Sequence, residues 1–280
     1  MALATLWLAA CLRKRIIMLP QSIGPIKGKL QFYLASRIFT KVDLIMVREM
    51  LSKKYLDEKF RISRPIVFVP DLAFGLPIVD AKIAATGNSV DYQIKIGVSI
   101  IDRGAQTRSF SNQQEYEDSL INLIEKLLGA RADICIYLFS QCFGPGIDHD
   151  DRIIVERIYS RLKNHQKRVF LLGDFKDALE IKAAYKCMDL VIGTRMHTGI
   201  LAISEFIPAI MIGYQPKTFG VMGVLGLEQY CMDIESINVP ELFAVVMKII
   251  EERPNIILKL RAALEKTQKQ LEMWSNYLKE

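Results

Sequence analysis

Histidine is scarce: three occur in 280 residues, and His149 and His165 lie in charge-rich segments while His197 follows an apolar run. With so few imidazoles, proton transfer near neutral pH has few candidates, which draws attention to His197. Five cysteines, Cys11, Cys135, Cys142, Cys187 and Cys231, show no Cys-x-x-Cys or Cys/His spacing. This argues against a zinc module or a disulfide framework and favours a reducing compartment, the cytoplasm. No apolar run is long enough to span a bilayer. The opening stretch Met1 to Leu12 is too short, and its basic cluster Arg13 to Arg15 follows the apolar residues instead of preceding them, so it reads as a core helix. Basic runs are missing as well. The net charge of +6 is spread along helices, which speaks against a nucleic-acid partner and leans toward anionic substrates.

What is present is an alternation of apolar strands and helical segments. With 51% hydrophobic residues the chain can bury a substantial core. Strands are predicted at 16–19, 44–47 and 66–69, with helices at 30–40 and 49–59. Residues 75–92 lack a period and read as a linker. A second series begins at 94–101, with a helix from a capping-box-like Ser111-x-x-Gln114 to Leu128, strands at 134–139, 169–172, 190–192 and 209–212, and a helix capped by Asp174. Asn238-x-x-Glu241 starts a terminal helix, and an amphipathic one follows from Asn255. Asp150 and Asp151 are placed in the first turn of a helix, favoured by its dipole, and no metal is assigned to them.

The chemistry concentrates in Cys187-Met-Asp-Leu-Val-Ile-Gly-Thr-Arg195-Met-His197, followed by a helix from Thr198 to Phe206, Pro208 and an apolar strand. A strand–helix–strand unit of this size makes a right-handed crossover, which puts Gly193 to His197 at the carboxyl end of a parallel strand and at a helix amino terminus. Unpaired N–H groups there favour an anion. Arg195 adds a bidentate cation and His197 a proton carrier. Lys217, after the next strand, is a candidate phosphate or acceptor contact. Arg48 either reaches the cleft or pairs with Asp71 or Glu49. Gly24, in Gln21-Ser-Ile-Gly-Pro25, offers backbone approach to a ligand or simply turns the chain. Arg103 and Arg108 compete for one role after the strand at 94–101, and His149 is a second acid/base candidate.

The run Met188 to His197 with its helix, proline, strand and Tyr214-Gln-Pro-Lys217 resembles the polysaccharide pyruvyl transferase family. Leu19-Pro-Gln-Ser-Ile-Gly-Pro25, Val47-Arg-Glu49, Val69-Pro-Asp-Leu-Ala-Phe74 and Ile96-Gly-Val-Ser-Ile100 follow the family's order. The resemblance implies an α/β protein with two Rossmann-like domains in a GT-B-type arrangement, the first incomplete because the family's opening strand and glycine-containing loop have no counterpart. The expected divisions are a partial domain at 1–76, a linker at 77–93, a donor-binding domain at 94–250 and a helix at 251–280 packing back on the first domain. It implies transfer of the pyruvyl unit of phosphoenolpyruvate to a sugar hydroxyl pair as a ketal, with release of phosphate; no cofactor is expected, and no metal, because no Asp/Glu/His cluster has ligand spacing.

Under this reading His197 and Arg195 are catalytic, and Arg103, Lys217, Arg48, Gly24 and Thr198 bind substrate. The partners are phosphoenolpyruvate and a glycan or lipid-linked sugar acceptor, the latter on the amino-terminal wall; a homo-oligomer is compatible with it. Two other readings fit the residues: a GT-B glycosyltransferase using a nucleotide sugar, and a non-enzymatic remnant.

Overall fold

The computed structural model describes residues 2–80, 93–103, 112–144, 146 and 150–278. The first series forms helix α1 (Ala2–Cys11), strand β1 (Ile17–Gln21), helix α2 (Lys29–Phe39), strand β2 (Leu44–Val47), helix α3 (Met50–Lys59), strand β3 (Ile66–Phe68) and a 3-10 turn at Leu72–Gly75. Its parallel sheet has the order β1-β2-β3. Pro20 lacks an N–H to donate and sits in β1, an edge strand, where that loss is tolerated. The central strand β2 is apolar throughout and buried on both faces, as a covered parallel strand should be. Alternation splits its side chains: Ile45 and Val47 join a core with Phe39 and Leu56, while Leu44 and Met46 join the larger core of the second series.

That second series comprises β4 (Ile94–Ser99), α4 (Gln113–Ala130), β5 (Ile134–Phe139), α5 (Asp151–Arg161), β6 (Val169–Leu172), α6 (Ala178–Lys186), β7 (Leu190–Gly193), α7 (Met196–Ile203), β8 (Ala209–Gly213), α8 (Pro216–Val224) and β9 (Cys231–Asp233). The parallel sheet runs β6-β5-β4-β7-β8-β9. Strand order reverses between β4 and β7, so the loops leaving these two strands diverge and open a crevice at their carboxyl ends. Helices α9 (Val239–Glu251) and α10 (Arg253–Trp274) follow. Leu271 of α10 packs near Gly75, and Arg15 donates to the Leu278 carbonyl at 3.4 Å, so the end of the chain lies against the first unit. Among the described residues no helix is long and apolar enough to cross a membrane.

Several local expectations need correction. Helix α1 is a surface helix, not a core one: it is apolar all round, only one side meets α2, and Trp7, Leu8 and Leu12 are exposed. Asp174 does not cap α6. It takes a left-handed conformation (φ 58°), and Asp177 accepts from the N–H groups of Leu179 and Glu180 instead. Asn112 occupies the N-cap of α4, and Ser111 lies outside the described residues. Helix α7 starts two residues earlier than expected and ends before Pro208, Phe206 turning the chain at φ 62°. Residues 231–233, not among the predicted strands, add one beside β8.

Candidate active site

Helix α7 takes Arg195 as its N-cap residue, which puts His197 in the first turn, at the carboxyl end of β7. The His197 ring keeps 51% of its surface open, and its Nε2 faces the Asp71 carboxylate of the first unit at 3.9 Å. Asp71 is itself held: it accepts from Arg48 Nη1 at 2.6 Å and from the Ala73 N–H at 3.0 Å. The two series therefore meet at an Arg48–Asp71–His197 array. Arg48 both pairs with Asp71 and reaches the cleft, so the two roles open to it in the sequence are compatible. Its Nε also donates to Ser22, which donates to Glu49. Burial raises the Glu49 pKa above the ordinary carboxylate value, against opposing bonds from Ser52 and Ser22.

Positive charge surrounds the imidazole. Enclosure by neighbouring atoms lowers the His197 pKa most; Asp71 opposes this, and Arg48, Lys217 and Arg195 lower it further. Lys217, in the first turn of α8, is lowered as well, first by burial and then by Arg48, with Glu49 opposing and Arg103 and Arg195 adding to the fall. Arg103 lies over the Tyr214 ring at 4.8 Å. Burial raises the Tyr214 pKa while Arg195 and Arg103 pull it down, which places that phenol among the same cations. Three cations, Arg48, Lys217 and Arg195, thus act on one half-open imidazole, and Arg103 lies close to Lys217 and Tyr214.

They are not equivalent. Arg195 directs Nε and Nη2 onto Asp151 at 2.7 and 2.5 Å, so its fork is occupied by a buried carboxylate. Asp151 does begin α5, but its oxygens accept from Arg195 and from the N–H groups of Gln141 and Cys142. The helix-dipole explanation is adequate only for Asp150, which caps the helix through the Arg152 N–H. Lys217 and Arg103 have no carboxylate ion pair among the described residues, which leaves them as the cations with charge to offer. Beside Lys217, the buried hydroxyl of Thr218 has no hydrogen-bond partner among the described residues.

Two expected contacts turn inward. Thr198 is fully buried; its hydroxyl donates to Gln141 and lies 3.1 Å from the Ser99 hydroxyl, tying α7 to the ends of β4 and β5. Gly24 takes φ +86°, and a side chain there would run into the Tyr55 ring, so its own loop already explains the glycine. Arg108 and His149 lie outside the described residues. The sequence reading missed Asp71, Asp151, Gln141 and Tyr214 as members of the site. Asp71, Gln141 and Tyr214 carry a signal, since each lies two residues beyond a predicted strand, whereas Asp151 does not. Among the described residues no group of three or more His, Cys, Asp or Glu side chains could hold a metal ion.

Two parallel α/β sheets flanking a cation-lined cleft, with the site at the strand-order reversal of the second, define a GT-B-like protein. Solved structures agree on that fold. HepE of Anabaena, crystallised with UDP and glucose, is similar with a TM-score of 0.62 at 14% identity, covering 99% of this chain and 76% of that one. A UDP-N-acetylglucosamine 2-epimerase homologue from Listeria monocytogenes gives 0.64 at 10% identity, covering 98% and 72%. The sequence profile of the polysaccharide pyruvyl transferases matches residues 3–216, and the chain belongs to that family. The amylovoran biosynthesis protein AmsJ of Erwinia amylovora is 25% identical over 261 residues, covering 90% of this chain and 62% of AmsJ. The chain thus spans less than two thirds of that relative's length.

Proposed function

We propose that this chain carries the donor site of a cytoplasmic polysaccharide pyruvyl transferase, one that moves the pyruvyl unit of phosphoenolpyruvate onto two hydroxyls of a sugar. Family membership supports the reaction class, and one observation carries the site. A half-open imidazole, held against Asp71, stands among Arg48, Arg103, Arg195 and Lys217, where a small polyanion would neutralise charges that now repel one another.

In the reaction, a proton adds to the methylene carbon of phosphoenolpyruvate, making C2 cation-like. One sugar hydroxyl attacks C2, the C2–O bond to phosphate breaks, and the second hydroxyl closes the ketal. Of the two hydroxyl protons lost, one balances the proton gained by the new methyl group and the other leaves on phosphate. His197 is the group that moves a proton here. Lys217 and Arg103 bind phosphate and carboxylate oxygens, and Arg195, fixed by Asp151, supplies a charge that does not move.

Calorimetry with phosphoenolpyruvate tests this directly. The chain should bind it, and Lys217→Ala should weaken binding by roughly 10- to 100-fold, as the loss of a charged hydrogen bond worth about 1.5–3 kcal/mol implies. A chain that ignores phosphoenolpyruvate but binds UDP-glucose would instead be a nucleotide-sugar enzyme.

A further inference from the structure

Two cavities meet at Phe175, beside the cation cluster and touching it at His197. The inner one, about 450 Å³, includes His197 in its wall and is lined by Leu76, Phe143, Phe175, Ile181 and Leu201. The outer one, about 290 Å³, is lined by Arg152, Glu156, Asp174 and Glu180. Phe175 is common to both. Its ring is fixed by stacking on Phe139, with centroids 6.0 Å apart and planes 13° from parallel. Arg152, in the outer cavity, lies over the ring of Phe143 in the inner one at 5.3 Å, a second link between them. Both cavities sit beyond the carboxyl ends of β5 and β6, and the first unit contributes only Ala73 and Leu76.

Their chemistry does not suit phosphoenolpyruvate. Two phenylalanines would strip water from a trianion without replacing it, and Asp177, Glu156 and Glu180 would repel it. A pyranose fits better: its C–H-bearing face packs on an aromatic ring, while the hydroxyls around its edge need hydrogen-bond partners. The inner cavity supplies both, with Phe143 and Phe175 as the apolar wall and Gln141, Lys176 and Asp177 as polar groups. The outer cavity supplies carboxylates and a guanidinium, suited to a sugar held by its hydroxyls alone.

The geometry points to a two-subsite acceptor site: the inner cavity takes the terminal pyranose, with its hydroxyls turned to His197, and the outer cavity takes the sugar before it. This rests on the transferase reading above. It moves the acceptor from the expected amino-terminal wall to the second unit and makes the smallest good acceptor a disaccharide.

Saturation-transfer NMR on the whole chain tests it, using methyl glycosides of glucose, galactose and mannose, and lactose and cellobiose, as probes, with phosphoenolpyruvate calorimetry run in parallel. At least one disaccharide should bind more tightly than every methyl glycoside. Phe175→Ala should weaken sugar binding roughly tenfold, and Phe175→Tyr, which keeps the ring, should restore most of it. Glu156→Gln, at an exposed position, should remove the disaccharide's advantage and leave methyl glycoside binding alone. No saturation with any probe, or sugar binding indifferent to both the Phe175→Ala and Glu156→Gln changes, would overturn the assignment. Sugar binding that follows this pattern without phosphoenolpyruvate binding would keep the subsites and sink the donor reading instead.

Discussion

His197 is half-open yet its pKa is lowered, first by the atoms that enclose it and then by Arg48, Lys217 and Arg195, which together outweigh the opposing Asp71 carboxylate. Phosphoenolpyruvate bound as proposed would oppose the field of those cations and raise the pKa, as it would for Lys217. Donor binding should therefore take up protons near pH 6.5, seen as a dependence of the binding enthalpy on buffer ionisation. His197→Gln should remove much of that uptake, leave donor affinity within a few fold, and slow turnover by roughly 10²–10⁴. For stability the sign is fixed by the same shift. The unfolded imidazole, titrating near 6.5, binds its proton more tightly than the folded one, so this group's contribution is intact above that pH and declines as the solution is acidified toward the depressed value. Arg195 and His197 were legible in the sequence because they sit two residues apart at a strand end. Their partners were not. Asp151 and Asp71 lie far from them along the chain, and only the sheet order brings them within reach.

At the level of elements, period and length were enough to find nearly every strand of both sheets, since parallel strands buried on both faces are short apolar runs. Caps were read less well. Three acidic or polar residues often stand near one helix start, and which of them turns the chain depends on its φ and ψ, as Asp174 and Asp177 demonstrate. Contacts between helices of the two units left no local pattern at all. Helix α8, which carries Lys217, rests on α3 through Gly220, where a Cβ would come within 2.6 Å of the Glu49 Cγ. Glu49 is buried and bonded to Ser22 and Ser52, so it has little room to move. Gly220→Ala should push α8 away from α3, costing about 1–3 kcal/mol of stability and weakening phosphoenolpyruvate binding through Lys217. Urea denaturation and donor calorimetry measure the two effects. Unchanged values for both would mean that the units already separate freely there.

The molecule as a whole depends on how the first unit is fixed to the second, and an ionic cluster of the second unit holds the backbone that leaves the first. Lys182 of α6 and Glu205, just after α7, are each 1% exposed in their side chains and lie 3.1 Å apart. Lys182 also donates to the carbonyls of Leu76 and Pro77 at 2.9 Å. Lys186 pairs with Glu205 at 3.2 Å and donates to the Val79 carbonyl, and Glu205 accepts from the Val79 N–H at 3.4 Å. The segment leaving the first unit is thereby fastened by its backbone, which is why its sequence, unremarkable apart from its turn formers, read only as a linker. Lys182→Met would leave a buried carboxylate short of one partner and two carbonyls short of a donor, at a cost of about 3–5 kcal/mol. Adding Glu205→Leu should recover part of that loss, because the uncompensated charge is gone, so the double change should be less damaging than the sum of the singles. Residues 76–79 would still be released from α6, and Asp71, a few residues upstream, would no longer be held against His197. Small-angle scattering should then show a broader distribution of dimensions for the double variant, and donor affinity should fall although no donor contact has been altered. Additive stability losses together with an unchanged scattering profile would show that α10 and the α3–α8 contact hold the two units together without this ionic cluster.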